Sequence, residues 1–132
     1  MKKEWSSSWK SSSQVRKQRK YRVNAPLHQR AKFLNARLSK ELSKKIGRRS
    51  LRLRKGDKVK VVRGGYSGKT GTIDRADIKT ARVYLTGLEV IKRDGSKVAP
   101  ALQPSNLIIT EIKTDDKRRE KQFTRITKKS RQ

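Results

Sequence analysis

The sequence contains no cysteine and a single histidine, His28, among its 132 residues. Without cysteine the chain cannot form disulfides or thiolate metal sites. With only one histidine, and with no Ser/His/Asp arrangement around it, the sequence also offers no catalytic triad and no imidazole-based metal site. We therefore expect no catalytic residue, no metal and no cofactor. His28 is interpreted as a surface contact.

Apolar residues are also scarce, since they make up 31% of the chain and aromatic residues only 5%. One core of ordinary density cannot extend over the whole chain at this composition. No apolar run reaches the length of a membrane span or of a signal-peptide core. We expect a cytoplasmic protein with no membrane partner and no small-molecule substrate. A basic amphipathic membrane binder is the alternative, but it needs a helix with large apolar residues along one face.

Acidic residues number only 11 against 38 lysines and arginines, which gives a formal net charge of +27. A polyanionic partner relieves the self-repulsion of such a chain, and nucleic acid is the leading candidate. The charge is unevenly distributed. Residues 10–63 hold 20 basic and two acidic residues, residues 64–112 hold 7 and 5, and the remainder to the C-terminus holds 9 and 3. A nearly balanced unit is thus flanked by basic arms.

The N-terminal region divides into two parts. Residues 1–13 are rich in serine, carry Trp5 and Trp9, and show no periodicity, so we expect disorder in the free protein. The two tryptophans could stack on bases or simply pack as tail residues. Residues 14–22 hold five lysines or arginines beside Tyr21, which favours an arm that follows phosphates. A solvated tail and a nuclear-import tag remain alternatives.

Two short helices are predicted next. Asn24 is the expected N-cap of the first, and apolar residues recur at helical spacing over residues 27–34. The second is predicted over Lys40–Ile46, with Ser39 as N-cap and Gly47 as the C-terminal stop. Both are too short to be stable alone, so they must dock on the remainder of the protein, on a partner or on both.

From Leu51 the apolar period changes to two. Leu51 and Leu53, and then Val59 and Val61, alternate with basic residues, which is the pattern of half-buried strands. Asp94–Gly95 predicts a type I′ hairpin turn. Further strands are predicted at residues 72–73, 82–85, 89–91 and 107–110. About five short strands with glycine punctuation predict a small, strongly bent antiparallel barrel.

Residues 68–70, Gly-Lys-Thr, resemble the end of a nucleotide-binding P-loop. That motif needs a glycine five positions before Gly68, where the sequence has Arg63. The following residues, Gly-Thr-Ile-Asp, predict a strand and not the helix that cradles phosphates. Nucleotide hydrolysis is therefore not expected.

Residues 55–64, KGDKVKVVRG, followed by GKTGTI at residues 68–73, resemble a KOW motif. The resemblance implies an SH3-like barrel. KOW units also occur in transcription elongation factors, but those carry a separate α/β domain ahead of the KOW unit, and no stretch of this sequence could form one.

The flanking segments resemble one particular KOW family, the archaeal and eukaryotic branch of the universal large-subunit ribosomal protein numbered twenty-four, or twenty-six in eukaryotes. The segments are NAP at residues 24–26, LSKEL at 38–42, RS at 49–50 and QPSNL at 103–107. The resemblance covers residues 14–132. It implies binding to the 5′ region of large-subunit rRNA, a role in early assembly, a position near the polypeptide exit tunnel and contacts with neighbouring ribosomal proteins.

The expected fold is mainly β: a small SH3-like barrel with short N-terminal helices and basic extended arms at both ends. The expected division is an arm at 1–22, a helical extension at 23–50, a barrel at 51–112 and a tail at 113–132. The predicted RNA contacts are Arg16, Lys17, Arg19, Lys20, Arg22, Arg30, Lys44, Lys45, Arg48, Arg49, Arg52, Arg54, Arg63, Tyr66 and Lys69.

Overall fold

The computed structural model describes residues 5–121 and residue 123. Predictions made for residues 1–4, 122 and 124–132 lie outside this part. The helices are α1 (Val15–Asn24), α2 (Leu27–Arg30) and α3 (Lys40–Ile46), with 3-10 helices at Ser7–Ser11, Ala31–Leu34 and Pro104–Asn106. Residues 117–121 are also helical. The strands are β1 (Asn35–Leu38), β2 (Ser50–Arg52), β3 (Lys58–Val61), β4 (Thr70–Asp77), β5 (Arg82–Leu85), β6 (Val90–Ile91), β7 (Lys97–Val98) and β8 (Leu107–Glu111).

Six strands form one sheet in the order β2-β1-β8-β3-β4-β5, and β6 and β7 form a separate hairpin. The pairing of β1 with β8 is parallel, while the other pairings in this sheet are antiparallel. The prediction of a closed antiparallel barrel is therefore wrong in two respects. The sheet is mixed, and within the described residues no ladder joins its two end strands, β2 and β5.

Strand β1 lies inside the sheet although the sequence analysis placed these residues in the helical extension. It pairs with β2 on one side and with β8 on the other. Ala36 and Leu38 point into the core and are each 2% exposed. Two apolar residues are too few to give a visible alternation, so sequence periodicity could not separate this strand from the preceding helical pattern.

The alternation predicted for the first strands is confirmed. Leu51 and Leu53 are buried, and Val59 and Val61 are fully buried, with exposed basic residues between them. One apolar cluster gathers side chains from the whole sheet, and Leu42 and Ile46 of α3 pack against it. A single small core thus holds β1, the later strands and α3 together.

The β6–β7 hairpin has a different turn from the predicted one. Lys92 N–H donates to the Ser96 carbonyl at 2.9 Å, so the loop has three residues. Only Gly95 has a positive φ, at 83°, whereas a type I′ turn requires positive φ at Asp94 as well. The Asp94 carboxylate accepts hydrogen bonds from both the backbone N–H and the hydroxyl of Ser96. The third loop residue gives the geometry of a turn followed by a bulge.

The basic ends are not extended arms where the structure describes them. Residues 15–24 form α1, and Asn24 ends this helix instead of capping the next one. Ala25 leaves the helical region because it precedes Pro26, whose ring disfavours α conformation in the preceding residue. At the other end, Arg119 lies in a helical segment and is only 3% exposed.

The predicted disorder of the serine-rich segment is also wrong for its described part. Trp5 packs on Tyr21, with ring centroids 5.1 Å apart, and its indole N–H donates to the Tyr21 carbonyl at 3.0 Å. Tyr21 in turn meets the edge of Phe33 at 6.2 Å. Aromatic contacts of this kind stabilise beyond the area they bury. They attach the N-terminal segment to α1.

Helix α3 is as predicted. The Ser39 hydroxyl accepts a hydrogen bond from Leu42 N–H, and Gly47 ends the helix with φ 70°. The first predicted helix is less regular. It begins at Leu27 and continues as 3-10 structure from Ala31, and of its apolar stripe Leu34 is buried while Leu27 is 68% exposed.

Candidate nucleic-acid interface

The predicted contact residues lie on the surface but not on a single face. Twelve of the fifteen are exposed, and Arg30, Arg48 and Tyr66 are half-buried. They fall into separate groups on α1, around α3, along the first strands and in the β3–β4 turn. Three cavities, described in turn, are lined by residues of the α1 and α3 groups.

The largest of these cavities, of about 550 Å³, lies between α1 and the 3-10 helix after it on one side and the β4–β5 turn on the other. We call it the basic groove. Its five cationic residues are Arg19, Arg22, Arg30, Lys79 and Arg82. None of the residues that line it is acidic. Such a concentration of one sign of charge in a concave surface focuses the field on an anionic partner.

The helical wall of the groove is held by Arg30. Its Nε donates to the Ala25 carbonyl at 2.8 Å, and its Nη2 donates to the Val23 carbonyl. These carbonyls belong to the C-terminal end of α1, where a cation is also favoured by the helix dipole. On α1 itself, the Arg22 guanidinium lies 5.5 Å from the centre of the Phe33 ring. Whether Arg30 also contacts RNA stays a prediction.

The opposite wall is the β4–β5 turn, which Asp77 holds in shape. Its carboxylate accepts hydrogen bonds from Lys79 N–H at 2.9 Å and from the Thr80 hydroxyl at 2.6 Å. The Thr80 hydroxyl, and then the Lys79 N–H, lower the pKa of the Asp77 carboxyl below its ordinary value of 3.8. Ala81 has φ 54°, a conformation that non-glycine residues seldom adopt. The turn therefore presents its cations from a fixed backbone.

Sequence reasoning did not select Lys79 and Arg82. They lie in the stretch where charge is nearly balanced, and no basic run marks them. The available signal was Asp77 followed at two and three positions by Lys79 and Thr80. This spacing is typical of an Asp side chain that hydrogen-bonds the backbone of a turn.

A second cavity, of about 280 Å³, lies beside α3. Of the predicted residues Lys44 and Arg49 line it, and Arg37 and Lys40, which were not predicted, lie there as well. Arg48 is outside this lining, and its carbonyl accepts a hydrogen bond from the Ser43 hydroxyl at 2.8 Å. The α3 group is thus only partly brought together.

A third cavity, of about 350 Å³, lies on the other side of α1. Lys17 and Lys20 line it together with Trp9. Arg19 and Arg22, in contrast, line the basic groove. The basic stretch at residues 16–22 therefore does not act as one strip, because the helix turns its cations toward different surfaces.

The remaining predicted residues surround the first strands. Arg52 is exposed on β2. Arg54 is bonded to Asp116, and this hydrogen bond is the main cause that lowers the pKa of the Asp116 carboxyl below 3.8. Arg63 lies in the β3–β4 turn. Arg54 thus already has an acidic partner in the folded protein.

Tyr66 and Lys69 lie in the turn that joins β3 and β4. Tyr66 is half-buried and packs against the apolar core, and the Lys69 ammonium lies 5.7 Å from the centre of its ring. Gly64 and Gly68 have φ 95° and 86°, so both are in the left-handed region. The packing supports a structural role for Tyr66, and its contact with RNA stays a prediction.

The described residues contain no group of His, Asp or Glu side chains that could hold a metal ion. In the same part of the chain, no helix is both long and apolar enough to cross a membrane. A sheet-rich core with cationic cavities on its surface is typical of small, non-enzymatic proteins that bind nucleic acid.

Comparison with known proteins gives the family. The chain belongs to the family of ribosomal proteins described as L26 in eukaryotes and L24 in archaea, whose model matches residues 12–126. It is similar to the large ribosomal subunit protein uL24 of Methanospirillum hungatei, with 49% identity over 86% of this chain and 94% of the relative. It is also similar to the uL24 proteins of Methanocella arvoryzae (49% identity, 82% and 87%) and Methanosphaera stadtmanae (44%, 86% and 97%).

The family match confirms the resemblance drawn from the segments that flank the strands. It also confirms that the protein is not an enzyme, because this is a family of structural ribosomal proteins. The match begins at residue 12 and thus includes α1, which carries the first group of predicted contacts.

Proposed function

We propose that the protein is a structural constituent of the large ribosomal subunit that binds its rRNA and contacts neighbouring ribosomal proteins. The observation that carries the proposal is the family match over residues 12–126, joined by relatives that are named as large-subunit proteins. The charge of +27 and the cationic cavities supply the surface that such binding requires.

The finer proposal follows the resemblance to this family. The protein binds the 5′ region of the large-subunit rRNA in the cytoplasm, enters the particle early in assembly and lies near the polypeptide exit tunnel. The division at residues 22, 50 and 112 and the assignment of the strands to a KOW-type, SH3-like unit belong to the same proposal. Its support is the pairing of β3 with β4 across a turn that contains two left-handed glycines.

The proposed mechanism is charge neutralisation on a fixed scaffold. Lysine and arginine side chains displace counterions from rRNA phosphates, and the displaced ions make the affinity depend on salt. The basic N-terminal region acts as a helix held by aromatic packing, and not as a chain threaded between RNA helices. Its cations therefore bind with little conformational entropy left to lose. The fifteen predicted contacts remain the proposed rRNA-binding residues.

Sedimentation of the full chain with purified ribosomal subunits tests the proposal. We expect the protein to sediment with large subunits that lack their own copy, and to leave small subunits and RNA polymerase in the supernatant. Binding to separate fragments of large-subunit rRNA should be tightest for the 5′ fragment. Association with polymerase in place of the large subunit would contradict the proposal and favour an elongation factor. Equal affinity for all rRNA fragments would contradict only the 5′ assignment.

A further inference from the structure

We infer that the basic groove holds the phosphodiester backbone of one RNA strand, and that Lys79 and Arg82 of the β4–β5 turn are contacts in it. The inference rests on the proposed function, because it takes rRNA as the ligand. It adds two residues that lie in the charge-balanced part of the sequence, outside the predicted contacts. It also makes the groove, and not the β3–β4 turn, the main binding surface.

The first argument is the convergence of charge. Arg19, Arg22 and Arg30 approach the groove from the helical side, and Lys79 and Arg82 approach it from the turn. The two sets are far apart in sequence and meet only through folding. None of the residues that line the groove is acidic, whereas Arg54 on the strand surface is bonded to Asp116. Charge-assisted hydrogen bonds to phosphate are among the strong ones.

The second argument is that both walls are fixed before a ligand arrives. Arg30 is bound to two carbonyls at the end of α1, and the turn is bound by the Asp77 carboxylate. Ala81, which lines the groove between the two turn cations, keeps a φ of 54°. Such strain in a non-glycine residue persists only where the surrounding structure holds it, and it concentrates at ligand sites.

The third argument concerns the shape of the ligand. Phe33, Ile78 and Pro104 contribute apolar surface to the same groove. An inorganic anion has no use for this surface, whereas the sugar and base of a nucleotide can lie on it while the phosphate contacts the cations. The cavity beside α3 has no aromatic residue in its lining. Phosphate-binding and apolar groups thus occur together in the groove.

The test is the variant K79Q/R82Q in the full-length protein, measured for affinity to the 5′ rRNA fragment over a salt series. Losing two phosphate contacts should flatten the plot of log affinity against log salt by about 1.4–1.8 in all. Binding at low salt should weaken on the order of tenfold. The matched control is K92Q/R93Q, which removes one lysine and one arginine from the exposed turn between β6 and β7, outside the groove lining. Its slope should change little.

Two further measurements keep the outcomes separate. The charge-preserving variant K79R/R82K should retain the wild-type slope. If it loses the slope as K79Q/R82Q does, the effect comes from disturbing the turn and the inference is overturned. Inorganic phosphate, added at constant ionic strength, should not displace the RNA. Complete displacement would show that the groove is a site for a free anion.

The failure of the inference differs from the failure of the proposed function. If the wild-type protein does not bind large-subunit rRNA, the proposed function fails. If the wild type binds and K79Q/R82Q matches K92Q/R93Q in slope and affinity, the proposed function stands and the groove is not the binding site. Circular dichroism melts of all three variants check that each is folded under the binding conditions.

Discussion

The guanidinium of Arg119 forms two parallel hydrogen bonds with the carboxylate of Asp57, each with an N–O distance of 2.7 Å. Asp57 is fully buried and Arg119 is 3% exposed. The carboxylate also accepts the backbone N–H groups of Arg54 and Lys113, and Arg119 donates to the carbonyls of Lys113 and Arg52. The C-terminal helical segment is thus tied to the start of β3 by a saturated buried pair.

Replacing Asp57 with Ala should destabilise the protein by about 3–5 kcal/mol, because it leaves the Arg119 charge buried without its partner. Urea unfolding of the full chain, followed by circular dichroism, measures the change. The control is Asp74→Ala, whose partner Lys55 is 3.4 Å away on the surface and contributes about 0–1 kcal/mol. A D57A protein as stable as D74A would show that Arg119 is not buried against Asp57 in solution.

Replacing Gly71 with Val should destabilise the protein by about 1–3 kcal/mol through overpacking. A Cβ at this position would lie 3.1 Å from the Thr86 carbonyl oxygen and 3.5 Å from Leu85 Cβ, in the middle of the β3–β4 ladder. Gly65→Val is the matched control, since a Cβ there meets nothing within 4 Å. Thermal melts should use the full chain because β1 lies inside the sheet. Equal melting temperatures for the two variants would refute the close approach.

Replacing Arg16, Lys17, Arg19, Lys20 and Arg22 together with Gln should weaken binding to cognate and unrelated RNA alike. The slope against log salt should fall by up to about 0.7–0.9 for each lost contact. The pairs K17Q/K20Q and R19Q/R22Q should separate the Trp9 cavity from the basic groove, since the helix directs them to different sides. Titration of fluorescent RNA measures both affinity and slope. A change in RNA preference without a change in slope would contradict phosphate neutralisation by α1.

Tyr66→Ala should lower the melting temperature, because the ring packs against the apolar core. Tyr66→Phe keeps this packing and should melt close to the wild type. If the ring also stacks on an unpaired base, the alanine variant should lose about 1–3 kcal/mol of affinity for cognate rRNA alone, at an unchanged salt slope. An alanine variant with wild-type stability would show that Tyr66 does not pack as the structure has it.

Thr80→Ala should raise the pKa of the Asp77 carboxyl toward its ordinary value of 3.8, since the Thr80 hydroxyl is the largest cause of its depression. A depressed folded-state pKa means that this stability is present above pH 3.8 and is lost as pH falls through the folded value. Carbon-13 titration of the carboxyl group measures the shift. Ser96→Ala is the control and should raise only the pKa of Asp94. An Asp77 pKa unmoved by Thr80→Ala would refute the hydrogen bond.

Local patterns in the sequence predicted local structure well. Helix α3 was marked by Ser39 and Gly47, whose preferences act within one turn and do not depend on distant residues. The strands with alternating leucines and valines were equally clear. The exposure of most predicted cations also followed, because lysine and arginine are seldom buried without a partner. The turn at Asp94–Gly95 was placed correctly but given the wrong type, since one more residue changes its geometry.

The sequence by itself determined that this protein is basic, lacks metal-binding thiols and resembles one ribosomal family. Tertiary structure decided which cations act together. Arg22 and Lys79 share a groove although a long stretch of chain separates them, while Lys20, near Arg22 on the same helix, lines another cavity. Tertiary structure also decided that Arg119 is a buried partner of Asp57 and not a free tail residue. Composition counts every guanidinium alike, but desolvation and hydrogen bonding depend on what folding places beside each one.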